Sequence, residues 1–199
     1  MHELNSFPNL TLPQAKRRLR GQILTLRDRL SPSEIRAKSQ AIWDRLSGTD
    51  LFRNANLIFF FLGYDKEVQT KFMVENALSE GKRIAVPRVL SDREMAFYEI
   101  TDLEGLVPGF RGILEPAPGL EPVRERPDLI LLPGTVFDEK GGRIGYGKGY
   151  YDHFLSDQPA QIPRIALCFD LQVLSHIPTE DHDIRAHRII TEKRIISCP

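Results

Sequence analysis

Residues Leu57–Leu62 read LIFFFL and Leu129–Leu132 read LILL. Runs this short, and apolar at every position, suit strands covered on both faces; a sheet with one wet face shows alternation instead. Covering both faces requires helices on each side of the sheet, and the intervening segments carry the punctuation for them. Thr11, Pro13 and Gln14 have the grammar of a capping box and predict a helix running to about Leu30. Ser31, Pro32 and Glu34 repeat it for a second helix, with Ile35, Ile42, Trp43 and Leu46 on one apolar face. Thr70 is placed to cap a further helix that Gly81 ends. Ile84–Val89, Ala96–Ile100 and Ile165–Phe169 are further strand candidates, with Ile189–Thr191 a weaker one. The alternation predicts an α/β fold: a single-domain three-layer α/β/α sandwich over residues 1–199 with a mostly parallel, Rossmann-like central sheet, residues 1–10 forming a flexible N-terminus.

A chain of 199 residues can bury roughly 70% of its unfolded surface. Acidic and basic residues balance at 27 each, which argues against nucleic acid or an anionic membrane as partner. Cys168 and Cys198 are isolated, as expected of reduced thiols in the cytoplasm. No secretory or membrane-length apolar stretch stands out. The Pro-rich stretch Gly109–Pro127 reads as an irregular surface connection. A monomer is expected, with a dimer as the alternative.

The segment Gly141–Asp152, GGRIGYGKGYYD, packs five glycines, two basic residues and three tyrosines between a strand and a helix start. Glycines reach positive φ without strain and let a ligand approach the main chain, while Arg143 and Lys148 supply positive charge. A phosphate cradle is one reading and a glycine-rich surface hairpin is the other. An ordinary P-loop is excluded because Gly149 stands where Ser or Thr would hold Mg²⁺, and a dinucleotide fingerprint fails at Tyr150. The upstream PDLILLPG, Pro127–Gly134, suits a central parallel strand that delivers a loop to the sheet's carboxyl edge, where ligands of such folds collect.

In the first helix Leu12, Ala15, Leu19, Ile23, Leu26 and Leu30 form an apolar stripe bordered by Lys16, Arg20 and Arg27. Arg17, Arg18 and Arg29 point away from it. On the residues alone, Lys16 and Arg20 read equally as snorkelling stems or as anion ligands. Glu67 reads more simply as an exposed loop carboxylate, Asp152 as a first-turn acid at a helix N-terminus, and Asp183 as a solvated acid. The cluster Asp181, His182, Asp183 and His187 matches no zinc spacing.

The run Phe137–Leu155, FDEKGGRIGYGKGYYDHFL, resembles the signature of the 5-formyltetrahydrofolate cyclo-ligases, also called methenyltetrahydrofolate synthetases. KRRLRGQILTLRDRLS from Lys16 resembles that family's basic first helix, KEVQT from Lys66 its substrate loop, and GKRIAVPRV from Gly81 its second strand. The resemblance implies ATP-dependent cyclisation of 5-formyltetrahydrofolate to 5,10-methenyltetrahydrofolate, through phosphorylation of the formyl oxygen. It assigns ATP, as co-substrate, to Lys16, Arg20, Arg143, Gly145, Gly147, Lys148, Gly149, Tyr150 and Tyr151. The folate falls to Leu62, Glu67, Tyr146, Gly147, Lys148, Gly149 and Tyr150, with Lys148 and Arg143 as catalytic residues. Asp152 and Asp183 are implied to hold Mg²⁺. His187 departs from relatives that carry an Asp near its position. A non-catalytic nucleotide or folate binder, and a related ATP-using enzyme acting on another heterocycle, remain as alternatives; Glu67 in its EVQT setting favours folate.

Overall fold

The computed structural model describes residues 10–109, 112–180 and 183–199. The two apolar runs lie side by side at the centre of a seven-stranded sheet. β1 (Leu57–Phe59) pairs in parallel with β2 (Arg83–Val89) and with β6 (Leu129–Leu132). β9 (Arg164–Leu167) and β11 (Arg188–Ile190) extend the parallel set, and β3 (Met95–Ile100) and β12 (Ile195–Ser197) close the two edges antiparallel. The mostly parallel α/β architecture expected from the sequence is therefore present.

The pleat explains why these strands are apolar throughout. Leu129 and Leu131 join a core with helices α2 (Pro32–Ser47) and α4 (Lys71–Ser79), whereas Ile130 and Leu132 join a second core that includes Leu155 of α5 (Tyr150–Ser156). Each face is then dry, and polar side chains have no place on either. Trp43 lies in the first core, edge-on to Phe52 at 5.2 Å. Helix α2 begins as its capping box requires, with the Ser31 side chain accepting from Glu34 N–H.

Several boundaries differ from expectation for identifiable reasons. β1 stops at Phe59 because the Thr70 hydroxyl donates to Phe61 O at 2.7 Å and accepts from Gly63 N–H at 2.9 Å, which turns the chain out of the sheet. The stretch from Gly109 contains β5 (Leu114–Pro116), which forms a hairpin with β4 (Leu106–Pro108). Helix α1 (Leu12–Asp28) ends two residues before Leu30, and its buried side chains join neither of the two main-sheet cores. Leu19 and Ile23 pack instead on Val136, Ile144 and Ile177, against a small sheet of β7 (Val136–Asp138), β8 (Arg143–Ile144) and β10 (Val173–Leu174). This contact turns the buried stripe toward Ala15, Leu19, Ile23 and Arg27 and leaves Leu26 exposed at 41%.

The β7–β8 hairpin corrects part of the glycine-motif reading. Gly141 and Gly142 make its turn and carry no cradle: a Cβ on Gly141 would stand 2.1 Å from Ala186 O. Asp138, 1% exposed, organises the turn by accepting from Gly142 N–H at 2.8 Å and Lys140 N–H at 3.1 Å. Its other oxygen accepts from Ile177 N–H at 3.1 Å and fixes the chain beyond β10. Replacing Asp138 by Ala orphans these donors and is expected to lower stability by about 3 kcal/mol. A urea-denaturation midpoint unchanged from the parent would refute that role.

Candidate active site

The chain leaves β1 and β6 at the same edge of the sheet, and the segments that follow them meet the inner border of α1. The loop after β1 is tight: Asp65 has φ 50° and a Cβ on Gly63 would stand 2.0 Å from Val68 O, so only glycine fits there. This tightness folds Glu67 inward, leaving it 8% exposed where the sequence alone favoured a solvated carboxylate. Tyr64 N–H donates to Glu67 Oε2 at 3.0 Å and the Tyr146 hydroxyl donates to Oε1 at 2.8 Å. Arg27 Nη2 donates to the Tyr146 hydroxyl at 2.8 Å, and its Nη1 lies 3.8 Å from Glu67 Oε1. Burial pushes the Glu67 carboxyl above its ordinary value, against the hydrogen bonds and the Arg27 charge; Asp65 adds to the rise. Burial, followed by the nearby Glu67 charge, pushes the Tyr146 phenol up to about 12.

The glycine loop proper is Gly145 to Gly149. Gly147 at φ 98° and Gly149 at φ 74° are both left-handed, a conformation that suits glycine. Arg20 Nε donates to Gly145 O at 2.7 Å, and its guanidinium lies so close that a Cβ on Gly147 would be 3.4 Å from Nη2. Lys148 is exposed. Lys16, one turn before Arg20, donates to Glu180 at 2.8 Å and to Asp183 at 2.6 Å. Burial works against the Lys16 charge, yet the bonds to Asp183 and Glu180 prevail and hold its pKa above the ordinary value. Burial lowers that of Arg20.

Other residues implied for the site lie beneath the loop. Arg143, 5% exposed, donates to Asp152 at 2.8 Å and sits 5.6 Å from the Tyr151 ring centre. Tyr151 joins the edges of both cores, and burial raises its phenol strongly. Tyr150 is half-buried at the start of α5. Leu62, 4% exposed, belongs to the first core and braces the Glu67 loop from below. Arg27 Nε and Nη1, Arg143 Nε and the Tyr151 hydroxyl are buried without a hydrogen-bond partner, an unusual concentration for one region.

Asp152 and Asp183 come near one another, since Ile184 N–H lies 3.4 Å from Asp152 Oδ1. Each uses one carboxylate oxygen on a cation, Arg143 or Lys16. No group of three or more His, Cys, Asp or Glu side chains converges among the described residues; Asp181 and His182 lie outside them. Mg²⁺ often needs only one or two carboxylates besides water and phosphate oxygens, so this pair fits such an ion in chemical type. His187 is elsewhere. Its Nδ1 accepts from Arg164 N–H at 3.2 Å at the amino ends of β9 and β11.

Arg27 and Tyr64 were not among the implied site residues, although Arg27 follows Lys16 and Arg20 along the helix border. Tyr146→Phe should remove both hydroxyl bonds of the Arg27–Tyr146–Glu67 bridge and cost about 1–3 kcal/mol. The thermal midpoint should drop by several degrees; no drop would mean that the bridge carries no folding energy.

Sequence and structure comparisons bear on this geometry. The profile of the 5-formyltetrahydrofolate cyclo-ligase family matches residues 13–192. The mouse (Mus musculus) 5-formyltetrahydrofolate cyclo-ligase is 30% identical over 196 residues, spanning 92% of this chain and 96% of that protein. The Escherichia coli enzyme of the same name is 28% identical over 146 residues, spanning 71% and 80%. The solved structure of Aquifex aeolicus 5,10-methenyltetrahydrofolate synthetase superposes with a TM-score of 0.80 at 29% identity, covering 92% of each chain.

Proposed function

The chain belongs to the 5-formyltetrahydrofolate cyclo-ligase family, and from that premise we infer that the glycine loop and the buried Glu67 form its two substrate sites. The enzyme cyclises 5-formyltetrahydrofolate to 5,10-methenyltetrahydrofolate with ATP, releasing ADP and phosphate. The observation that supports this placement is the closeness of a shielded acceptor, Glu67, to an open, left-handed glycine turn that carries Lys148 and is met by Arg20, with Lys16 one helical turn from Arg20.

A pterin presents an exocyclic amine and a ring N–H, two donors that a fixed carboxylate accepts together. Glu67 is given that role, with Tyr146 and Tyr150 at the walls of the pocket and Leu62 holding the loop. The triphosphate lies along Gly145, Gly147 and Gly149, whose backbone admits close approach, under Lys16, Arg20 and Lys148. Arg143 acts from beneath by fixing Asp152 and the loop, and so positions groups without touching the reacting atoms.

The formyl oxygen is a weak nucleophile, so the site must align it with the γ-phosphorus and offset charge on the transferring group. Lys148 is a mobile point charge suited to the γ-phosphoryl oxygens. The formyl oxygen forms a bond to phosphorus as the bond to ADP breaks. N10 then attacks the activated carbon, loses its proton, and the C–O bond breaks to release phosphate. Mg²⁺, held by Asp152 and Asp183, would add charge neutralisation at the phosphates. The bond changes require no covalent enzyme intermediate. One chain, as one domain in the cytoplasm, is taken as the working unit; Cys168 and Cys198 are free thiols.

The direct experiment mixes the protein with 5-formyltetrahydrofolate, Mg²⁺ and ATP and follows methenyl absorbance, omitting ATP as control. Lys148→Ala should reduce kcat/KM for ATP by on the order of 100-fold and leave folate binding nearly intact. Glu67→Ala should weaken folate binding and spare ATP. If neither substitution moves the constants of either substrate, the assignment of sites is wrong even where the activity is present.

A further inference from the structure

Among the described residues Glu67 meets donors at both of its carboxylate oxygens. Oε2 receives Tyr64 N–H and Oε1 receives the Tyr146 hydroxyl. The direction of the second bond is not free. Arg27 can only donate, so its bond to the Tyr146 oxygen commits that oxygen to accept and sends the phenolic proton toward Glu67. As a carboxylate Glu67 meets both donors with acceptor oxygens, and a protonated Glu67 would lose that match.

Arg27 is itself unusual. It is 2% exposed, and among the described residues Glu67 is the sole carboxylate within 4 Å of it. Its Nε and Nη1 have no hydrogen-bond partner. A buried guanidinium this poorly satisfied is retained at a cost that Ala or Leu, continuing the stripe of Leu19 and Ile23, would not incur.

We propose that Arg27 is the positioning residue of the folate site: directly and through Tyr146 it keeps Glu67 an acceptor aimed at the pterin donors. The proposal rests on the assignment of Glu67 to folate. The groups facing Glu67 are Arg27 from α1, Tyr146 from the glycine loop and Asp65 and Tyr64 N–H from its own loop; Tyr151 of α5 also lies within range of its charge. Of these, Arg27 is the fixed cation. Burial drives the carboxyl toward the neutral form and Arg27 opposes it. Folate affinity should therefore fall as pH drops through the Glu67 pKa, and removal of Arg27 should move that fall to higher pH.

The test measures KM and kcat for both substrates across pH for Glu67→Gln, Arg27→Met, Arg27→Lys and the double variant. Glu67→Gln should raise the folate KM about tenfold or more. Arg27→Met should raise it about tenfold at neutral pH, leave the ATP KM within about twofold, and shift the acid limb of kcat/KM for folate upward by about one pH unit. Arg27→Lys should restore most of the limb's position, because it restores the charge. Adding Arg27→Met to Glu67→Gln should change the folate KM less than about twofold, since the arginine acts through the carboxylate.

An unchanged folate KM in Glu67→Gln would overturn the assignment of the site itself. Impairment in Glu67→Gln with an unmoved acid limb in Arg27→Met would overturn only the role of Arg27, as would losses that multiply in the double variant. Should Arg27→Met fail to fold, Tyr146→Phe carries the test: it cuts the relay while Arg27 stays, and it must also move the limb upward.

Discussion

The bridge from Arg27 through Tyr146 to Glu67 ties together three segments that are far apart in the sequence. α1 packs on the β7–β8 hairpin, the Glu67 loop hangs from β1, and Tyr146 belongs to the glycine loop. Apolar contact could press these together in many registers, because the Leu19 and Ile23 cluster is small and non-directional. Three polar atoms in a row allow far fewer. Lys66 adds a strut on the same seam, donating to Leu30 O at 2.9 Å just beyond the helix. The position of α1 then places Lys16 and Arg20, at helical spacing from Arg27, along the glycine turns. The buried Glu67 and the Lys16–Arg20 face of α1 are thus set by one helix docking event.

The main sheet stands apart from this arrangement and gives it something rigid to attach to. Its strands bury side chains on both faces, and nothing in that packing depends on a ligand. Several of the polar atoms left without partners, on Arg27, Arg143 and Tyr151, lie around the glycine loop. An unsatisfied buried group costs about 1–3 kcal/mol, so the loop region is held in place by the stability of the rest. Such a division suits an enzyme whose rate depends on aligning two substrates, since the framework stays put while the under-satisfied region can settle around a ligand.

The parts legible in the sequence were those written in a local code. LIFFFL and LILL announced strands covered on both faces, Ser31-Pro-Ser-Glu34 announced α2, and Trp43 was correctly placed in the core by its spacing. Glycine in the loop marked left-handed turns at Gly147 and Gly149, although the same pattern overreached at Gly141 and Gly142, which serve a hairpin. What could not be read was long-range. Arg27 looked like a border residue because the partner of α1 was unknown, and the true partner rotates the buried face toward it while exposing Leu26. Glu67 looked solvated because nothing local reveals that Gly63 folds its loop inward. Leu62 and Tyr151 were implied for ligand contact by resemblance, and the structure shows each packed in or against the apolar cores.

Tyrosine at position 146 is the choice that reconciles a buried acid with a buried base. Placed in full contact, a carboxylate and a guanidinium attract strongly, but each then satisfies the other and neither is left for a ligand. Here the closest approach of Arg27 to Glu67 is 3.8 Å, and the phenol fills part of the gap. With its pKa pushed up to about 12, Tyr146 stays neutral at physiological pH, so it relays a hydrogen bond without adding charge. Glu67 keeps an ionic neighbour close enough to favour its anion and distant enough to leave lone pairs for an incoming pair of donors. Phenylalanine would break the relay and a lysine would add a second cation. The hydroxyl alone both accepts from the arginine and donates to the carboxylate, which links the two ends of a charge pair that stays partly open.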